Sequence, residues 1–170
     1  MTPRLELDVT FAARRPWAPR RAEFMRWAGA ALGEGAARSR ARRSGIRRVG
    51  IRRVTMSVRV VGTARSRTLN ARYRSRDRAT NVLSFGGAGT MPDGSIDLGE
   101  LVICAPVVAR EASSQGKAAT AHWAHLTVHG VLHLLGFDHE RRGEALDMET
   151  REIQILDRLG FSNPYVWPDA

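Results

Sequence analysis

Three histidines in the C-terminal part of the chain stand at i, i+4 and i+10: His129, His133 and His139, with Gly136 between the last two. On an α-helix, residues i and i+4 lie one above the other on the same face, so His129 and His133 can offer two imidazoles to one ion. Gly136 is placed to end that helix in a left-handed turn. Phe137 and Asp138 then carry the chain back, so that His139 can add a third ligand. Three nitrogen ligands and one open position make a catalytic zinc centre rather than a closed structural one. The expectation is one Zn2+ per chain, although imidazoles also suit nickel, copper and iron. Asp138 has three roles open to it: bonding a ligand imidazole, orienting water, or shaping the turn.

The spacing is similar to the metzincin signature H-E-x-x-H-x-x-G-x-x-H, but Gly130 stands where the general-base Glu belongs. A glycine cannot take a proton, which argues against peptide hydrolysis by that route and leaves the proton acceptor unassigned. His125 lies one turn before His129, and His122 one turn before that. Four-histidine catalytic zinc centres are uncommon, so these two read as capping residues, as partners that orient a ligand, or as contacts to a polyanion. Arg59 is a further candidate. In Thr55-Met56-Ser57-Val58-Arg59-Val60-Val61 the apolar row Met56, Val58 and Val60 puts Arg59 on the other face with Ser57 and Val61. A solvated strand face would explain it. So would a planar fork that grips a phosphate and stabilises charge growing in a transition state.

Charge points toward the second reading. The chain of 170 residues has a formal net charge of +10. From Gly35 to Arg76 there are 14 arginines and no acid, whereas Asp138 to the end holds 8 acids against 4 arginines. A basic half of this kind attracts a polyanion, most commonly nucleic acid. Lys117 is the only lysine among 27 basic residues, so general arginine preference contributes as well. No apolar run approaches the roughly 18 residues of a membrane helix. Acids also fall where a signal peptide would be apolar, and the expectation is a cytoplasmic protein with no membrane partner. Cys104, the single cysteine, excludes an internal disulfide and a cysteine-based zinc site, and its apolar surroundings make it a buried, inert thiol.

Elements must hold these side chains in place. Leu5–Phe11 alternates as a half-buried strand. A helix is expected from near Pro19 to Gly33, with Phe24, Trp27, Ala28, Ala31 and Leu32 on one side. The Arg-rich stretch that follows ends in a tandem duplication, Gly45-Ile46-Arg47-Arg48-Val49 and Gly50-Ile51-Arg52-Arg53-Val54. It is too short for a solenoid and reads as a basic insertion over about 35–54. Strands are expected at Thr55–Val61, Thr80–Phe85 and Leu98–Ala105, with a flexible loop at Gly86–Asp97. Helices are expected from Thr63, as cap, to about Tyr73, from Pro106 to near Gly116, over Ala119–Leu135, and over about Gly143–Leu159. The fold class is α+β: one domain over 1–170, a small mixed β-sheet packed with helices, and a three-histidine metal site at the end of a long helix.

His129 to His139 matches H-G-x-L-H-L-x-G-x-D-H throughout, and on this motif the chain resembles the YbeY family of bacterial rRNA-maturation endoribonucleases. The family's upstream blocks are echoed by Leu69-Asn70-Ala71-Arg72-Tyr73-Arg74, by Asp77 to Phe85, and by Leu98-Gly99-Glu100-Leu101-Val102-Ile103. Its strand arginine falls on Arg59. Ala79 replaces a usual proline and Glu100 a usual aspartate. The resemblance implies a single-strand-specific, metal-dependent endoribonuclease acting in late 16S rRNA 3′-end processing and ribosome quality control. Its partners would be single-stranded RNA, precursor rRNA and the ribosomal small subunit. His129, His133 and His139 would hold zinc, and Arg59 would hold the scissile phosphate as the catalytic residue. The alternatives are a non-enzymatic, zinc-stabilised ribosome-assembly factor and a metzincin-like metalloprotease.

Overall fold

The computed structural model describes residues 3–38, 52–137 and 142–166. His139, Asp138 and most of the duplicated Gly-Ile-Arg-Arg-Val units therefore lie outside the described residues. The elements run β1 (Arg4–Phe11), α1 (Arg21–Arg38), β2 (Arg53–Val61), α2 (Thr63–Arg74), β3 (Val82–Thr90), β4 (Ile96–Cys104), α3 (Ala105–Ser114), α4 (Ala119–Leu134) and α5 (Arg142–Arg158). This is the expected order and the expected α+β class. Of the basic stretch expected as an insertion, the N-terminal end belongs to α1 and the C-terminal end to β2.

The sheet has the order β1-β2-β4-β3, with β1, β2 and β4 parallel and β3 antiparallel to β4 at the edge. Strand alternation divides the core in two. Leu7, Val58, Leu101 and Ile103 face one way, against Phe24, Trp27 and Leu32 of α1 and Trp123, Val128 and Val131 of α4. Val61, Leu83, Val102 and Cys104 face the other, with Val107 of α3 and Leu69 of α2. The first layer is the larger, and Phe24 meets Trp123 edge-on at 5.8 Å. Truncating a buried aromatic of this kind to alanine costs about 3–5 kcal/mol. Cys104 is a free, buried thiol, as expected.

Helix α4 is buried on most of its circumference, and His125, His129 and His133 form a half-buried stripe. It ends as the glycine predicts. Gly136 has φ +90, its N–H reaches the His133 carbonyl, and the Phe137 N–H reaches the Leu132 carbonyl. These closing bonds satisfy carbonyls that the helix end would leave orphaned.

Two expectations need correction. Thr63 is the first residue of α2 rather than its cap; Gly62 occupies that position in extended backbone, and its carbonyl accepts the Ser66 N–H at 3.1 Å. The segment Gly86–Asp97 is not a free loop: β3 continues to Thr90, and β4 begins at Ile96. Its glycines mark ladder irregularities, since the register shifts between Gly86 and Gly89. Glycine inside a strand often signals a bulge rather than an exit from the sheet.

Candidate metal centre and sheet groove

The stripe on α4 comes together with a residue the sequence pattern did not single out. Glu152 of α5 is fully buried, and its Oε1 lies 2.5 Å from His129 Nδ1. The hydroxyl of Tyr165 donates to Oε2 of the same carboxylate. His125 Nε2 is 3.6 Å from Oε1, beyond hydrogen-bonding distance. A buried carboxylate persists only with such partners. Burial alone would raise its pKa, but the adjacent imidazoles of His125 and His129 outweigh that and bring it down to about 2. Burial and the Glu152 carboxylate in turn hold the Tyr165 phenol above its usual range.

With Nδ1 of His129 turned to Glu152, the other ring nitrogen points at His133, and the two Nε2 atoms lie 3.1 Å apart. Two nitrogens at 2.0–2.1 Å from one tetrahedral ion are separated by about 3.3 Å, so this opposition fits a shared cation. A second grouping also meets the chemistry of a metal site: His125, His129 and Glu152 offer ligand atoms all within 4.8 Å of one another. The 2.5 Å contact between Glu152 and His129 is a hydrogen-bond distance, shorter than two ligands of one ion keep. It fits a carboxylate that fixes the tautomer and angle of a ligand imidazole. His122 is buried, its Nε2 2.7 Å from Oε2 of Glu111, and Glu111 also accepts from Asn81 Nδ2 at 3.0 Å. It ties α4 to α3 and to the start of β3, and it is not presented at the surface.

Gly130, where a metalloprotease would carry its base, faces the sheet. A Cβ there would lie 2.7 Å from Leu101 Cδ2, inside the buried layer. The Leu101 methyl groups fill the space that a side chain at 130 would need, so Leu101 must shift to admit one.

Arg59 lies elsewhere. The register pairs it with Val102 of β4, on the face that carries α2 and α3, whereas α4 packs on the opposite face. Among the described residues, no contact joins Arg59 to His129 or His133. Instead, Arg59 donates from Nε at 3.0 Å and from Nη2 at 2.8 Å to Oε1 of Glu100. A guanidinium has five N–H groups, so three remain for another acceptor.

Glu100 reaches that face because of a bulge. The register of β4 against β2 shifts between Thr55 and Met56, leaving Leu98 as the extra residue. Ile96 and Leu98 therefore share the α4 core with Leu101 and Ile103, and Glu100 is turned to the Arg59 side. Gly99 makes this possible at φ +120, where a Cβ would fall 2.0 Å from the Phe85 carbonyl oxygen. Thr55, Ser57, Phe85, Gly86 and Glu100 are among the residues lining an open groove of about 510 Å³.

Comparison with known proteins follows the same lines. The family model described as Endoribonuclease YbeY matches residues 39–160. A protein of Stenotrophomonas maltophilia (strain K279a) named Endoribonuclease YbeY is 46% identical over 168 residues, covering 95% of this chain and 94% of its own length. One of the same name from Alkalilimnicola ehrlichii is 47% identical over 166 residues, covering 96% and 92%. The solution structure of TM1509 from Thermotoga maritima superposes with a TM-score of 0.52 at 18% identity, over 95% of this chain and 99% of that one, which shows a shared fold.

Proposed function

The chain belongs to the Endoribonuclease YbeY family, and on that premise we propose that it is a zinc-dependent endoribonuclease that trims single-stranded ends of precursor rRNA on the small ribosomal subunit. The observation that carries the metal part is the opposition of His129 and His133 at 3.1 Å, with Glu152 closing the far side of the His129 ring. His139 would complete the ligand set. When bound, zinc would supply a Lewis acid for a phosphoryl oxygen and a lowered pKa for water. The chain's own residues do the rest. His129 and His133 would hold the ion, Glu152 would keep the His129 ring in the ligating tautomer, and Gly136 ends α4 in a positive-φ turn.

Arg59 would grip a phosphate of the bound strand with the N–H groups that Glu100 leaves open, and Glu100 would hold the guanidinium at a set angle. The arginines of the first half would add affinity independent of sequence, weakening as salt rises. In support of the strand's path, α2 exposes Arg65, Arg67, Arg72 and Arg74. Among the described residues, no helix is long and apolar enough to cross a membrane.

The test is cleavage of a single-stranded RNA by zinc-loaded protein, beside chelator-treated protein and the His133→Ala variant. Cleavage confined to the loaded wild type supports the proposal. If the loaded wild type cuts neither free RNA nor precursor rRNA in ribosomal particles, the nuclease reading fails and a zinc-stabilised assembly factor takes its place.

A further inference from the structure

The surface beside the groove lined by Phe85 and Glu100 carries an exposed aromatic. Tyr73, in the last turn of α2, is 56% exposed. It is not a loose side chain, because its ring meets Phe85 of β3 edge-on, with centroids 5.0 Å apart. The Arg72 guanidinium lies 5.4 Å from the Tyr73 ring centroid. Along α2 and the segment that follows it, Arg65, Arg67, Arg72, Arg74, Arg76 and Arg78 are exposed. Asp77 is the only acid between Thr63 and Arg78, and it is taken up by Arg67 at 2.7 and 2.8 Å.

An exposed aromatic on an arginine-rich surface is how proteins hold single-stranded nucleic acid: stacking takes any base, and the cations track the backbone. Its place in the sheet fits. Phe85 pairs with Glu100, and the Glu100 carboxylate reaches along the sheet to Arg59, so Tyr73 and Arg59 are linked through Phe85 and Glu100 on one face. β3 and β2 are two strand spacings apart, about 10 Å, and both Phe85 and Glu100 also line the groove. β3 is the edge strand. Phe85 faces Tyr73, while the adjacent Ser84 faces α4, its hydroxyl 3.4 Å from the Gly130 carbonyl oxygen. One strand's width thus separates the Tyr73 side from the helix that carries the histidines.

We propose that Tyr73 is a base-stacking platform: a base of the single-stranded RNA stacks on its ring while Arg59 and the α2 arginines hold the flanking phosphates, and the strand passes over the β3 edge toward α4. This rests on the endoribonuclease reading and adds the element that favours unpaired bases, since a base inside a duplex has no free face to offer.

The experiment is fluorescence anisotropy with the full chain and a short labelled single-stranded RNA, beside the same strand with abasic sites, strand integrity being checked on a gel. Wild type is expected to bind the complete strand more tightly than the abasic one. Tyr73→Ala is expected to raise Kd for the complete strand about five- to a hundredfold, the effect of losing one stacked base, and to leave the abasic strand unchanged. Tyr73→Phe keeps the ring and should bind as wild type. Matched thermal melts exclude a folding defect. If Tyr73→Ala binds both strands as wild type does, or weakens both equally, the platform is wrong while the nuclease reading stands. If wild type binds no single-stranded RNA, the platform is wrong, and cleavage of precursor rRNA in ribosomal particles decides the nuclease reading separately.

Discussion

Glu152 Oε1 lies 2.5 Å from Nδ1 of His129, and this one contact decides which nitrogen the histidine can give to a metal. The two residues are on different helices, α4 and α5, and the carboxylate is shielded from solvent by the packing between them. An imidazole held this way presents Nε2 with its lone pair outward, already aimed at His133.

Glu152→Gln retains an acceptor for the His129 N–H but removes the charge, and Glu152→Ala removes both. Zinc affinity, read by competition with a chromogenic chelator, is expected to fall toward tenfold for Gln and toward a hundredfold for Ala. Equal affinity in all three proteins would remove Glu152 from the site.

Metal binding should be visible in stability as well. Zinc at about 100 times its Kd adds roughly 2.7 kcal/mol to the folded state. For a chain of this size that raises Tm by about 5–10 °C. His133→Ala should abolish the rise, which differential scanning calorimetry with and without zinc would measure.

Gly130→Ala forces a methyl group to 2.7 Å from the Leu101 side chain. Overpacking costs about 1–3 kcal/mol, against roughly 1 kcal/mol gained from helix propensity, so Tm should drop by a few degrees. Gly130→Glu, which restores the protease-like signature, drives a carboxylate into the same apolar layer and should lower Tm much further. A stable Gly130→Glu protein that digests casein would contradict the packing described.

Arg59→Ala should reduce kcat/KM for RNA cleavage about ten- to a hundredfold, the worth of a charge-assisted bond to a phosphate. Arg59→Lys should rescue little of this, because an ammonium cannot fill the fork shared with Glu100. A loss confined to KM would mean that Arg59 holds a phosphate remote from the cut, as its side of the sheet suggests. A loss in kcat would mean that it touches the reacting one.

Acid stability offers a separate check, away from the metal ligands. Burial would raise the Glu111 carboxyl, but hydrogen bonds with His122 and Asn81 prevail and leave it below its ordinary value of 4.5. A depressed carboxylate contributes stability that is complete above that value and is lost as pH falls through the lower folded-state one. Melting temperature plotted against pH should therefore decline below about 4.5, and Glu111→Gln should flatten that part of the curve. Identical slopes for the two proteins would show that the Glu111 bonds do not support the fold.

Local periodicity was enough to place every helix and strand in order, because each element buries one face and so writes its period into the chain. Helical spacing alone also put His129 and His133 on one stripe, and Gly136 signalled the turn that ends it, since a positive φ leaves a recognisable residue. Strand alternation placed Arg59 opposite Met56, Val58 and Val60. Other features depended on contacts between residues distant in sequence. Glu152 is 23 positions from His129, and nothing in its own helix distinguishes it from the other acids there until α5 docks on α4. The bulge at Leu98 and Gly99 reverses the parity of β4, so the strand pattern could not say that Glu100 meets Arg59. Nor could spacing show that Arg59 and the histidines occupy opposite faces of the sheet, with Tyr73 exposed on the Arg59 side. Periodicity assigns a side chain to a face of its own element, but which faces meet is decided only when the layers pack.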